Sequence, residues 1–192
     1  MDRRDFLRTT TAAAFATGAR TPSSAAATAQ PDLIKTENAK AGASFQLTRM
    51  MPDNAKSYRT SLIEGYCSRQ SIKAGEKLDL FVSTKPAAKF TIDIFRMGYY
   101  DGAGSRLMAT LGPFDGKEQP VPEIGDKRLR ECQWDVSTSL MIPADWPSGV
   151  YLGRLTTLPN SEQRTENSEP YWQSYIIFIV KDDRPADILF QC

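Results

Sequence analysis

The groups in this chain that could do chemistry are carboxylates, tyrosines, lysines and three cysteines, because its 192 residues contain no histidine. A Ser-His-Asp triad, a Cys-His pair, a two-histidine zinc site and a histidine general base are therefore excluded within it. Cys67, Cys132 and Cys192 follow no zinc or haem spacing. Cys67 and Cys132 can be read as a disulfide between two sheets in an oxidising compartment, or as two buried free thiols, which is the preferred reading. An immunoglobulin pattern would place a tryptophan between them, whereas Trp134 follows the second. Cys192 reads as a reactive leftover at the terminus.

Three weaker patterns have structural readings beside the chemical ones. Gly102-Ala103-Gly104 lacks the third glycine and the following helix of a dinucleotide fingerprint, so it reads as a turn. Asp182-Asp183 reads as a solvated turn rather than a metal or acid/base pair, since adjacent carboxylates on a strand point to opposite faces. Trp134, Trp146, Trp172, Tyr99 and Tyr100 could form a platform on which sugar rings stack, but core aromatics are commoner in a small β-domain.

The elements that must position these groups are strands. Leu78, Leu80 and Val82 alternate with Asp79 and Phe81, and Phe90, Ile92 and Ile94 alternate with Thr91 and Asp93. Period 2 predicts strands with one buried face. Gly149–Leu155 is a further strand, and the unbroken apolar run Tyr175–Val180 predicts a strand covered on both faces. Turn signals separate them at Lys73–Glu76, Tyr100–Gly102, Gly112-Pro113, Asp115-Gly116 and Trp146–Gly149, and residues 159–170 read as a solvated hairpin loop. The expected fold class is all-β, an immunoglobulin-like β-sandwich. Arg184–Cys192 reads as a turn and then a new buried strand, the first strand of a missing α/β domain.

The first residues have a different character. Arg3-Arg4 followed by Phe6, Leu7 and Arg8 match the twin-arginine export pattern. A short, mildly apolar stretch over 9–17 comes next, and Ala27-Thr28-Ala29 offers a cleavage site through Ala27 and Ala29. The predicted organisation is a signal over 1–29, a linker over 30–44, a β-sandwich over 45–183 and the start of a further domain over 184–192. The location expected is periplasmic or extracellular, with the twin-arginine machinery as a partner. Twin-arginine export carries folded proteins and is a hint of a cofactor. The net charge is +1, and residues 1–29 hold four arginines against two aspartates, so the remainder is close to neutral. No basic patch points to nucleic acid, and no apolar run is long enough to predict a membrane span.

Phe95-Arg96-Met97-Gly98-Tyr99-Tyr100-Asp101-Gly102-Ala103-Gly104-Ser105-Arg106 resembles the strand-and-turn motif of the dimethylformamidase large-subunit family, with Arg96, Gly98, Tyr99, Tyr100, Gly102 and Gly104 as its defining positions. Ile63–Tyr66 leading to Ser71–Glu76, Cys132-Gln133-Trp134 leading to Ile142–Asp145, Ser148–Tyr151, Phe178–Asp183 and Asp187–Gln191 fit in the same order. The resemblance covers about residues 60–192. It implies hydrolysis of an N-substituted formamide at a mononuclear iron held by tyrosines and a glutamate, which would polarise the amide carbonyl. In that family the ligands lie in an α/β domain beyond the sandwich, so the resemblance gives this chain no catalytic residue and no cofactor, and leaves iron to a longer protein. A catalytic domain or subunit is the partner expected. A different reading is a free-standing periplasmic module that binds carbohydrate or another polymer.

Overall fold

A computed structural model describes residues 33–50, 61–159 and 171–184. Arg3, Arg4, Phe6 and Leu7 of the export pattern, the Ala27/Ala29 cleavage site, nearly all of the 159–170 loop, and the terminal strand with Cys192 lie outside those residues. The described chain is all-β, with one α-helix of six residues, α1 (Leu33–Asn38). Eight strands follow: β1 (Ile63–Cys67), β2 (Ser71–Lys73), β3 (Lys77–Thr84), β4 (Lys89–Met97), β5 (Ser105–Asp115), β6 (Thr138–Met141), β7 (Gly149–Thr157) and β8 (Gln173–Lys181). They form a three-stranded sheet in the order β1-β3-β6 and a five-stranded sheet in the order β2-β8-β7-β4-β5. Pairing is antiparallel except for β2, which runs parallel to β8.

The two sheets share one core. Leu78, Leu80 and Val82 of β3 meet Phe90, Ile92 and Ile94 of β4 and Tyr151, Ile176 and Phe178 of β7 and β8, all at most 2% exposed. Each such side chain withdraws enough apolar surface to contribute about 1.5–3 kcal/mol. Tyr151 stacks between Trp146 (5.1 Å) and Phe178 (5.4 Å), and its hydroxyl donates to the Pro147 carbonyl at 2.6 Å. That bond lets a phenol sit fully inside.

Three local expectations change. The apolar run of β8 is not covered on both faces along its length: Ile176, Phe178 and Val180 are buried, whereas Ile177 is 59% exposed. Only one face of its sheet meets the other sheet. Gly112-Pro113 is not a turn but lies inside β5, where Ile92 faces Leu111 and Phe90 faces Phe114. The extra residue is a bulge on an edge strand, a place that tolerates a proline without an N–H. The strand-like pattern expected from about 45 begins, among the described residues, only at Ile63.

Residues 43–49 instead form a strap across the outer face of the larger sheet. Ala43 N–H donates to Ser105 O at 2.8 Å, Arg154 Nη1 to the Gln46 carbonyl at 3.3 Å, and Gln173 N–H to Arg49 O at 2.7 Å. Tyr175 O–H donates to Phe45 O at 2.5 Å. The strap thus spans β5, β7 and β8 without belonging to the sheet. The stretch over 30–44 expected to be a linker contains α1 and a buried carboxylate, Glu37, which is 3% exposed.

Candidate functional site

The turn between β4 and β5 holds the motif Arg96–Gly104. Its chain bends through left-handed backbone at Tyr100 (φ 43°), Asp101 (φ 53°), Gly102 (φ 84°) and Gly104 (φ 81°). Glycine takes this conformation freely, whereas Tyr100 and Asp101 do so against steric resistance. The N–H groups of Gly98, Gly102, Ala103 and Gly104 donate to carbonyls of Gly104, Tyr99, Tyr100 and Tyr99. They are spent inside the turn, so Gly102-Ala103-Gly104 offers no cradle for a phosphate. A Cβ on Gly98 would lie 2.6 Å from Asn38 Oδ1 and 2.8 Å from Tyr100 Cε2, so this position is closed to any side chain.

Tyr100 points inward and is 1% exposed, while its neighbour Tyr99 is 68% exposed. The Tyr100 hydroxyl accepts from Arg96 Nη1 at 2.9 Å and donates to Glu37 Oε1 at 3.0 Å. Glu37 also accepts from Arg106 Nε at 2.7 Å and Lys40 Nζ at 2.6 Å. Arg96, 4% exposed, sends Nη2 to the Ser148 carbonyl at 2.9 Å. One buried network therefore fastens α1, the motif turn and the turn entering β7. Burial pushes the Glu37 carboxyl up, but Lys40, Arg106 and Tyr100 outweigh it and hold it below the usual carboxylate range. Burial pushes the Tyr100 hydroxyl up, Arg96 opposes this, and Glu37 adds to it. Arg96 Nε, Arg154 Nε and Ser174 Oγ are the buried side-chain atoms without a hydrogen bond among the described residues.

Glu37 and Tyr100 are the side-chain types that the resemblance associates with iron, and they touch. They do not fit a metal ion. Three cationic side chains, Lys40, Arg96 and Arg106, already face the pair, and a further cation would be repelled at these distances. The upward push on Tyr100 also keeps it protonated, as a donor rather than a tyrosinate ligand. No three His, Cys, Asp or Glu side chains converge among the described residues.

The other candidates disperse. Cys67 and Cys132 are both free thiols; Cys67 is half-buried and Cys132 exposed. Tyr66 O–H reaches the Cys132 carbonyl at 3.3 Å, so Cys132 lies over the face of β1 that Tyr66 occupies. Adjacent Cys67 points the other way, into the core, where burial pushes its thiol up to about 12. The five aromatics form no platform: Tyr100, Trp134 and Trp146 are buried, Trp172 lies under Arg49 (5.4 Å), and only Tyr99 is fully offered to solvent. Asp182 pairs with Arg184 (2.6 Å) and Asp183 with Lys73 (2.7 Å), in different directions as a strand end requires. Sequence reasoning found Arg96, Tyr100 and the glycines but missed Glu37, Asn38 and Lys40. A lone glutamate in a short polar stretch has no periodic neighbours to mark it.

The fold and the clasp define an all-β domain of two facing sheets whose charged cluster joins chain segments instead of facing a cavity. The chain belongs to the family described as N,N-dimethylformamidase beta subunit-like, C-terminal, which matches residues 91–192, more than half of its length. The match takes in Arg96, Tyr100 and Arg106, while Glu37 lies before it. No curated protein matches the chain. No helix among the described residues is long and apolar enough to cross a membrane.

Proposed function

We propose that this chain is the non-catalytic, immunoglobulin-like β-sandwich portion of an exported dimethylformamidase-like amide hydrolase, and that it supports a catalytic domain or subunit that carries the iron. One observation carries the reading: the buried polar side chains of the family-like motif, Arg96 and Tyr100, are consumed by each other and by Glu37. The Arg96 guanidinium, Tyr100 hydroxyl and Glu37 carboxylate bond among themselves and to the Ser148 carbonyl, so the motif serves architecture. The parallel pairing of β2 with β8, within otherwise antiparallel sheets, supports the immunoglobulin-like description. Export rests on Arg3, Arg4, Phe6 and Leu7, with cleavage after Ala29 and a periplasmic or extracellular destination.

The test is an assay of the purified chain with an N-substituted formamide, together with metal analysis. No formate release and no stoichiometric iron are expected from it alone. Turnover with one iron per chain would overturn the reading. Export is tested separately: Arg3→Lys with Arg4→Lys should leave uncleaved precursor inside the cell, and normal processing of that variant would remove the twin-arginine assignment.

A further inference from the structure

Residues 33–49 precede β1 and belong to neither sheet, yet they are held along the larger one step by step. At one end Glu37 accepts from Arg106 Nε at 2.7 Å and from the Tyr100 hydroxyl at 3.0 Å, and Asn38 Oδ1 accepts from Tyr99 N–H at 2.9 Å. Further along, Ala43 N–H donates to Ser105 O at 2.8 Å, and Ser105 Oγ donates back to Ala43 O at 2.5 Å. Arg154 Nη1 reaches the carbonyls of Ser44 and Gln46 at 3.4 and 3.3 Å, and Tyr175 O–H that of Phe45 at 2.5 Å. Thr48 N–H donates to Gln173 Oε1 at 2.9 Å, and Arg49 O accepts from Gln173 N–H at 2.7 Å.

Two features make this arm resemble a bound peptide rather than a strand of the fold. The sheet grips its main chain at Ala43, Ser44, Phe45, Gln46, Thr48 and Arg49. Its side chains alternate: Ala43, Phe45, Leu47 and Arg49 are half-buried, whereas Gly42, Ser44, Gln46, Thr48 and Met50 are exposed. Such a period of 2 is that of an extended segment laid with one face down. On that face the Phe45 ring meets Tyr175 at 6.5 Å, and the Arg49 guanidinium lies over Trp172 at 5.4 Å. The receiving side is set by the sheet itself. Arg154 Nη2 donates to Asp93 Oδ2 at 2.9 Å, and the Arg154 guanidinium lies 4.9 Å over Phe95. Groups fixed in this way are preorganised to receive a segment.

We propose that residues 33–49 are an exchangeable arm, and that the surface beneath them accepts the same arm from a second copy of this chain. The contacts select the occupant: an arm supplied by another copy makes the same bonds as the arm in place, so exchange loses none of them. Tethering favours the chain's own arm, because it holds that arm beside its surface at an effective concentration of about millimolar. Weakening the arm on one chain while keeping it intact on another therefore shifts the balance toward exchange.

Fluorescence anisotropy of the full chain with a labelled peptide of residues 33–50 tests this. On the unaltered chain the resident arm competes with the peptide. Glu37→Ala with Phe45→Ala weakens the resident arm and leaves its surface intact, so that variant should bind the peptide about tenfold or more tightly. Adding Arg106→Ala and Tyr175→Phe, on the receiving surface, should reverse the gain. An arm with a merely structural role would not give effects of opposite sign from its two sides. Mixing the arm-weakened chain with a chain altered only at Arg106 and Tyr175 should give a one-to-one dimer in analytical ultracentrifugation, while each alone stays monomeric. A photo-reactive form of the peptide, at high concentration on the unaltered chain, should label β7 and β8 near Arg154 and Tyr175, a readout that stands even if a variant fails to fold. Peptide binding that the arm substitutions leave unchanged or weaken, equal binding of a peptide with the same residues in scrambled order, no dimer in the mixture, or labelling confined to other surfaces would each overturn the proposal.

Discussion

The clasp around Tyr100 and the loop over 116–137 depart in opposite ways from the usual sorting of side chains. The clasp takes a carboxylate, a guanidinium and a phenol out of water and pairs them with each other, leaving Arg96 Nε without a hydrogen bond. The loop holds Val121, Ile124 and Leu129 in water, and its acidic residues alternate along the chain with Lys127, Arg128 and Arg130. Charge is expensive to bury unless it is partnered, so the mutual bonds of this buried cluster hold the segments that carry it in one arrangement. Exposed apolar groups are unfavourable in water, and here a frame of hydrogen bonds holds the loop that displays them. The comparison separates a part of this protein that closes on itself from a part that stays open to solvent.

Breaking the clasp should have the largest effect. Arg96→Ala removes charged hydrogen bonds to Tyr100 and Ser148 and a buried stem, for a loss of about 3 kcal/mol in urea unfolding. If stability is unchanged, the clasp is not holding the fold. Gly98→Ala forces a methyl against Tyr100, which the clasp prevents from moving, and should cost about 2 kcal/mol. Adjacent tyrosines then sharpen the contrast. Tyr100→Phe should cost about 1.5–2 kcal/mol, because Arg96 and Glu37 lose their shared hydroxyl. Tyr99→Ala, on the exposed side, should stay within about 0.5 kcal/mol, as should Leu129→Ser in the loop.

Acid titration probes the clasp more gently. The Glu37 carboxyl is held lower in the folded protein than in the unfolded chain. Its contribution is therefore complete above the ordinary carboxylate range and is lost as pH falls through the folded value. Glu37→Gln lacks that contribution, so the stability gap between the two proteins should narrow on acidification. A gap constant across the acid limb would contradict the charged clasp. The smallest effect concerns the thiols and leaves stability untouched. At mildly alkaline pH, peptide mass analysis should find Cys132 alkylated in the native state and Cys67 only after denaturation, since burial holds the Cys67 thiol up at about 12. Equal labelling would place Cys67 at the surface.

Much of the fold was legible because strands announce themselves locally. Leu78, Leu80 and Val82, and Phe90, Ile92 and Ile94, are spaced for a buried face and are buried. Gly102 and Gly104 marked a turn, and both adopt left-handed backbone. The site was less legible. Arg96 and Tyr100 stood in a motif, but Glu37 reaches Tyr100 and Arg106 across more than 60 residues of chain, and such long-range bonds leave no periodic trace. The exposure of Ile177 was equally hidden, because an apolar run states what a strand could bury and not which layers arrive to cover it.

By itself, the sequence determined the absence of histidine chemistry, the all-β class and the positions of four of the eight described strands, since composition and alternation act over a few neighbouring residues. Only the tertiary structure decided that residues 37–49 are fastened into the domain, that Gly112-Pro113 is a bulge, and that Arg96 and Tyr100 of the motif face inward. Those outcomes depend on which distant groups are brought together to share one desolvated space, and that is a property of packing rather than of any local stretch of chain.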